Sequence, residues 1–132
     1  MNFVFLCPTH RQELTNKPHR ALCGWKNTSE TGINLADLGQ HLDALPHLGA
    51  SFEIADIILN QRIVEPDKAA CLYTKSALAL ALRLKMLGYC AEKDSILQLA
   101  IKRISQSSID NKLKNQQIHM LVYSLIPEQT RH

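Results

Sequence analysis

Pro66-Asp67-Lys68-Ala69-Ala70-Cys71-Leu72-Tyr73-Thr74-Lys75-Ser76-Ala77-Leu78-Ala79-Leu80-Ala81-Leu82-Arg83-Leu84-Lys85-Met86-Leu87-Gly88 is the stretch on which the fold turns. Proline suits the first position of a helix, where its missing N–H costs nothing, and Asp67 complements the positive end of the helix dipole. Gly88 suits the left-handed cap that ends a helix. Between them, Ala70, Tyr73, Ala77, Leu80, Leu84 and Leu87 make one apolar stripe at helical spacing, and Cys71, Leu78, Leu82 and Met86 make another. A helix apolar on two sides is expected to be covered on two sides. The segment therefore predicts the central helix of an all-α domain, running to about Leu87.

The flanking sequence extends the same pattern. Alternating β-branched or aromatic runs are missing, whereas Ala, Leu, Lys and Gln are plentiful. Pro8 opens a short helix near 8–15. Pro18 opens a longer one to about Gly39, expected to be interrupted or weakened at Thr28-Ser29-Glu30-Thr31-Gly32. A third helix over about 41–60 carries Leu45, Leu48, Phe52, Ala55, Ile58 and Leu59 inward, leaving Glu53, Asp56 and Asn60 on a solvated back. A fifth, about 91–106, turns Ile96, Leu99, Ala100 and Ile104 inward. The last starts at Asp110, with Leu113, Ile118, Leu121, Val122 and Leu125 apolar, and stops at Pro127, beyond which the tail to His132 is expected to fray. The expectation is one domain over 1–132 of five to six antiparallel helices. Two helix-hairpin units cover about 18–60 and 66–106, and a capping helix covers about 110–126.

Composition agrees. The 132 residues are 45% hydrophobic and 20% charged with net charge +3, which excludes disorder, and five Gly with five Pro exclude a fibrous chain. The longest apolar run, residues 77–82, falls far short of a membrane span. Met1-Asn2-Phe3-Val4-Phe5-Leu6-Cys7 lacks a basic leader, and bulky Leu6 sits where a cleavage site wants a small residue. Phe3, Val4, Phe5 and Leu6 are instead expected to tuck under the domain, and the protein to be cytoplasmic. Cys7, Cys23, Cys71 and Cys90 then read as thiols or ligands, not a disulfide framework. Residues 1–66 carry five Lys/Arg against seven Asp/Glu, and residues 67–132 carry ten against five. The basic residues are scattered, the pattern of solvated helix faces.

Leu38-Gly39-Gln40-His41-Leu42-Asp43-Ala44-Leu45 resembles the inter-helix turn of a tetratricopeptide repeat, with a Gly turn followed by a small Ala at a helix contact. Gly32 supplies the small residue of the first helix, and Leu35 and Leu48 the large packing positions. A second copy fits around Leu87-Gly88-Tyr89, with Leu80, Ala81 and Leu84 before the turn and Leu97 and Ala100 after it. Thr28 and Ala77 stand where an aromatic is usual, and Lys93 replaces a small residue. The two turn glycines are 49 residues apart, wider than the roughly 34 of a regular array. The likeness covers about residues 25–106. It implies a stack of helical hairpins that grasps peptides or partner proteins on a face built from first helices. Carried onto this chain, that face holds Lys26, Ile33, Asp37, Lys75, Leu78, Leu82 and Lys85. Lysines beside leucines would suit an acidic or carboxylate-ended peptide, provided the terminal helices do not cover Leu78 and Leu82.

Other chemistry is sparse. Cys7, His10, His19 and Cys23 have spacings from which pairs of side chains reach one ion, so a zinc-stabilised regulatory domain is the alternative reading. Cys7 at a helix start with His10 close by could also be an activated thiolate, but no orienting residue or oxyanion hole accompanies it. Glu53 and Asp56 lack a flanking His or Cys. Cys71 and Cys90 are expected to pack in the core, and His41 and His47 to be solvated. Trp25 is expected to anchor the core, not to stack on a base. No phosphate loop, dinucleotide fingerprint or metalloprotease motif occurs. The sequence points to a non-enzymatic, cofactor-free interaction module for a protein or an acidic peptide, with a homodimer contact as the other use of its apolar surface. A nucleic-acid-binding helical domain is the weaker alternative, for want of a recognition helix.

Overall fold

Several helix boundaries have a local cause. The computed structural model describes residues 5–127, and its regular structure there is helical throughout. The helices are α1 (Pro8–Asn16), α2 (Pro18–Asp37), α3 (His41–Gln61), α4 (Pro66–Met86), α5 (Cys90–Ser105) and α6 (Asn111–Leu125). Prolines occupy the first turns of α1, α2 and α4. Gly39 and Gly88 follow α2 and α4 with φ of +78° and +86°, which glycine adopts without steric cost. Arg62 takes the left-handed position after α3, at φ 51°, where no glycine marks the turn in advance. Asp110 caps α6 by accepting from the Lys112 N–H at 3.1 Å. Links of three to five residues join α2 through α6 in sequence, the length that makes consecutive helices antiparallel neighbours. The expected packing of Phe3 and Val4 and the fraying of the tail beyond Pro127 lie outside the described residues.

Two expectations about helix faces are corrected. Helix α2 runs through Thr28–Gly32 unbroken, because its small residues face a neighbour instead of breaking the helix. Gly32 is buried where an added Cβ would lie 2.6 Å from Leu48 Cδ2 on α3, so the missing side chain is what lets these helices touch. The Thr28 hydroxyl donates back to the Gly24 carbonyl at 2.8 Å. Helix α4 touches α2, α3, α5 and α6, and its first stripe is buried from Ala70 to Leu84. The second stripe is not covered: Cys71 is exposed, Leu78 half-buried, Leu82 47% exposed and Met86 53% exposed. The neighbours meet α4 on small residues instead, at Ala69, Thr74, Ser76 and Ala81.

Helix α3 is buried on more of its circumference than its pattern suggested. Leu45, Leu48, Phe52 and Ala55 join the main core, while Ile54, Ile57 and Ile58 pack with Leu6, Leu14, Ala21 and Ala69 in a second cluster. Leu6 is buried and Phe5 half-buried, as expected of the N-terminal segment. On α5, Ala100 and Ile104 are buried and Ile96 half-buried as expected, but Leu99 is 46% exposed, and Leu97 is buried in its stead. No helix among the described residues is long and apolar enough to cross a membrane.

Candidate functional site

The uncovered stripe of α4 makes one wall of a recess. Leu78, Ala81, Leu82 and Lys85 come from α4, Lys93 and Leu97 from α5, and Ser124 from α6, around a volume of about 260 Å³. These helices bring their residues together because α5 folds back after Gly88 and α6 returns alongside α4. Buried Ala81 and Leu97 form the floor, with Leu78 and Leu82 on the open side. At the rim, Lys93 holds its ammonium 3.1 Å from the Asp94 carboxylate, and Lys85 is half-buried. The geometry offers an apolar trough with two lysine side chains and the Ser124 side chain among its lining.

Of the seven residues expected on a binding face, Leu78, Leu82 and Lys85 line this recess together. Lys75 does not. Its ammonium lies 6.0 Å from the centre of the Trp25 ring, where it can be drawn to the ring face. Trp25 is itself tied to α4, its indole N–H donating to Ser76 Oγ at 2.7 Å while Ser76 donates to the Leu72 carbonyl at 2.8 Å. Trp25 is thus a half-buried tie between α2 and α4. Lys26, Ile33 and Asp37 are exposed on α2 and line none of the recess. Sequence reasoning missed Ala81, Lys93, Leu97 and Ser124 as wall residues. One signal was legible: Lys93 stands where a repeat wants a small side chain.

The Cys and His residues do not converge. Cys7 caps α1, its Sγ accepting from the His10 N–H at 3.4 Å, and Cys23 is exposed on α2. Among the described residues, no group of three or more His, Cys, Asp or Glu side chains is placed to hold a metal ion, so Cys7, His10, His19 and Cys23 do not form the tetrahedron their spacing allowed. Cys71 and Cys90 are exposed, not core residues, because the faces that carry them are the uncovered ones. His41 is half-buried and accepts at Nδ1 from Arg83 Nη1 at 3.1 Å, and His47 is half-buried, so neither is simply solvated.

The largest departure concerns Glu53 and Asp56, which are not a solvated helix back. Asp56 accepts from Arg11 Nη2 at 3.0 Å and from Arg103 Nε at 2.9 Å, and the Arg103 Nη2 group also closes on the same carboxylate. Glu53 accepts the backbone N–H groups of Phe5 and Leu6, at 3.2 and 2.7 Å, and so clamps the N-terminal segment. Beside them Tyr73 is fully buried; burial pushes its hydroxyl well above the usual phenol range, the Asp56 charge adds to this, and Arg103 acts in the opposite sense. Local spacing reveals only the Asn60 contact to Asp56; the arginine and N-terminal partners of Asp56 and Glu53 lie 45 to 48 residues away.

No family model, curated protein or solved structure matches the chain.

Proposed function

We propose that the protein is a non-enzymatic interaction module, a small stack of tetratricopeptide-like helical hairpins that holds an acidic peptide in the α4–α5–α6 recess. The observation that carries this reading is the open stripe of Leu78 and Leu82, which α6 leaves uncovered beside a buried floor of Ala81 and Leu97. Exposed leucines over a packed floor supply the burial that holds a partner, and lysines at the rim favour carboxylates. The hairpin reading is supported by glycine turns after both α2 and α4 and by the close approach of Gly32 to Leu48. Four exposed thiols suit a reducing compartment, so we assign the protein to the cytoplasm.

The test is a peptide-display selection against the whole chain, with enriched peptides measured by fluorescence anisotropy. Enriched sequences should pair apolar residues with Asp or Glu. Leu82→Asp should weaken them at least tenfold at unchanged circular dichroism, because Leu82 is a half-exposed wall residue. Selection of basic peptides, or binding indifferent to Leu82→Asp, refutes the groove. Salt-sensitive capture of RNA in place of any peptide would transfer the assignment to nucleic acid.

A further inference from the structure

The end of the stack opposite the Gly39 and Gly88 turns holds a polar recess of about 290 Å³, where α3 and α5 finish and α4 and α6 begin. Arg62 and Arg103 line it, with Gln106 and Ser108 beside them and Leu59 and Ile109 as its apolar part. No carboxylate stands in this wall among the described residues. Glu65 and Asp67 flank Pro66 but line none of the recess, and Asp110 spends its carboxylate on the Lys112 N–H. Hydrogen-bond donors are in surplus. The Arg62 guanidinium, the Gln106 amide and the Ser108 hydroxyl have no hydrogen bond or ion pair with another described residue. The backbone N–H groups of Ser108 and Ile109 also go to no described acceptor, although Ile109 is a buried residue. Unmet N–H groups call for an acceptor. The helix ends do not supply it: the Ile58 carbonyl already accepts from Ile63, Lys102 from Gln106, and Ile104 from the N–H and hydroxyl of Ser107.

Charge narrows the class of ligand. Arg11 and Arg103 share the single carboxylate of Asp56, so that triad keeps one positive charge, and the unpaired Arg62 adds a second. A phosphomonoester brings about −1.5 to −2 near neutral pH and three acceptor oxygens. A carboxylate brings one charge and two oxygens, which leaves part of the donor set unmet. The planar fork of arginine also matches phosphate geometry. Leu59 and Ile109 give the rest of the wall an apolar surface, suited to a small organic body carrying the phosphate. The volume sits just below the usual range for small-molecule sites, which limits that body to a small one. We infer that this recess binds a small phosphomonoester, its phosphate held by Arg62, Arg103 and the donors of the Gln106–Ile109 link.

The inference is independent of the peptide groove, and its test uses the full chain. Phenyl phosphate and benzoate share a ring and differ in the anionic group. Titrated by NMR chemical-shift perturbation at neutral pH, phenyl phosphate should bind at least tenfold tighter than benzoate, the worth of one charge-assisted hydrogen bond. The shifts should centre on Arg62, Gln106, Ser108 and Ile109. Inorganic phosphate, which leaves Leu59 and Ile109 uncovered, should bind more weakly than the ester. Arg62→Gly relieves a left-handed backbone at φ 51°, so the variant keeps its fold, and it should weaken phenyl phosphate at least tenfold. Ser108→Glu, at an exposed position, sets a like charge in the wall and should abolish binding by a second route. Equal affinity for benzoate or for inorganic phosphate, binding that survives either substitution, shifts spread over Lys68, Lys102 and Lys112 instead of the recess, or no binding of phenyl phosphate would each overturn the inference.

Discussion

Two glycines on the same helix should respond to the same substitution with opposite signs. Gly24 and Gly32 both lie inside α2, where alanine is intrinsically better than glycine by about 1 kcal/mol. At Gly24 an added Cβ meets only Ile54 Cδ1, at 3.5 Å, an ordinary van der Waals contact. Gly24→Ala should therefore stabilise the protein by about 0.5–1 kcal/mol. At Gly32 the added Cβ would stand 2.6 Å from Leu48 Cδ2, 2.7 Å from Cγ and 3.2 Å from the Leu48 backbone nitrogen. Leu48 is 2% exposed and cannot swing into solvent, and its backbone belongs to the helix that α2 packs against. Relief requires the helices to part, so overpacking of about 1–3 kcal/mol outweighs the helix-propensity gain. The net expectation for Gly32→Ala is a loss of up to about 2 kcal/mol, or up to about 7 °C in Tm. Urea melts of both variants at constant m-value measure the pair. A gain at both positions would refute the close approach of α2 and α3 at Leu48.

Two further outcomes concern the cluster around Asp56. Asp56→Ala leaves Arg103, a partly exposed cation, without its carboxylate, and should cost about 2 kcal/mol in urea melts; a cost below about 0.5 kcal/mol would mean the bridge is a surface pair of little weight. Tyr73 supplies a pH signature. Its folded-state pKa lies above the unfolded value of 10.0, so above about pH 10 the unfolded chain releases a proton that the folded chain keeps. The contribution is fully present below pH 10 and falls by up to about 1.4 kcal/mol per pH unit above it. Melts between pH 9 and 11 should show this slope in the unaltered protein and a shallower one in Tyr73→Phe; identical slopes would place the hydroxyl in solvent.

How far the candidate sites were legible depends on the reach of the contacts that build them. Leu78, Leu82 and Lys85 share a stripe of one helix, so their common face could be read from spacing alone. Lys93, Leu97 and Ser124 complete the same recess from two other helices, and no periodicity relates them to α4. Lys75 was misplaced for a similar reason. Its position on α4 suits the groove edge, but Trp25 of α2 draws its ammonium away. For Glu53 and Asp56 the helical pattern pointed outward, and so it read them as solvated. Arginines from α1 and α5 and the N-terminal segment then closed over that face.

By itself the sequence determined the all-α class, the helix order and most boundaries. Proline at first turns, glycine after α2 and α4 and the Asp110 cap act through the adjacent backbone, and such causes need no tertiary partner. Only the tertiary structure decided which apolar faces are covered. Helix α4 shows two apolar stripes of similar strength, yet its neighbours pack against one stripe and against the small residues Ala69, Thr74, Ser76 and Ala81, leaving Leu82 and Met86 open. A stripe records that a face can be buried; the size of the side chains on both helices decides where they approach, because a close-packed interior admits a neighbour only where the volumes fit.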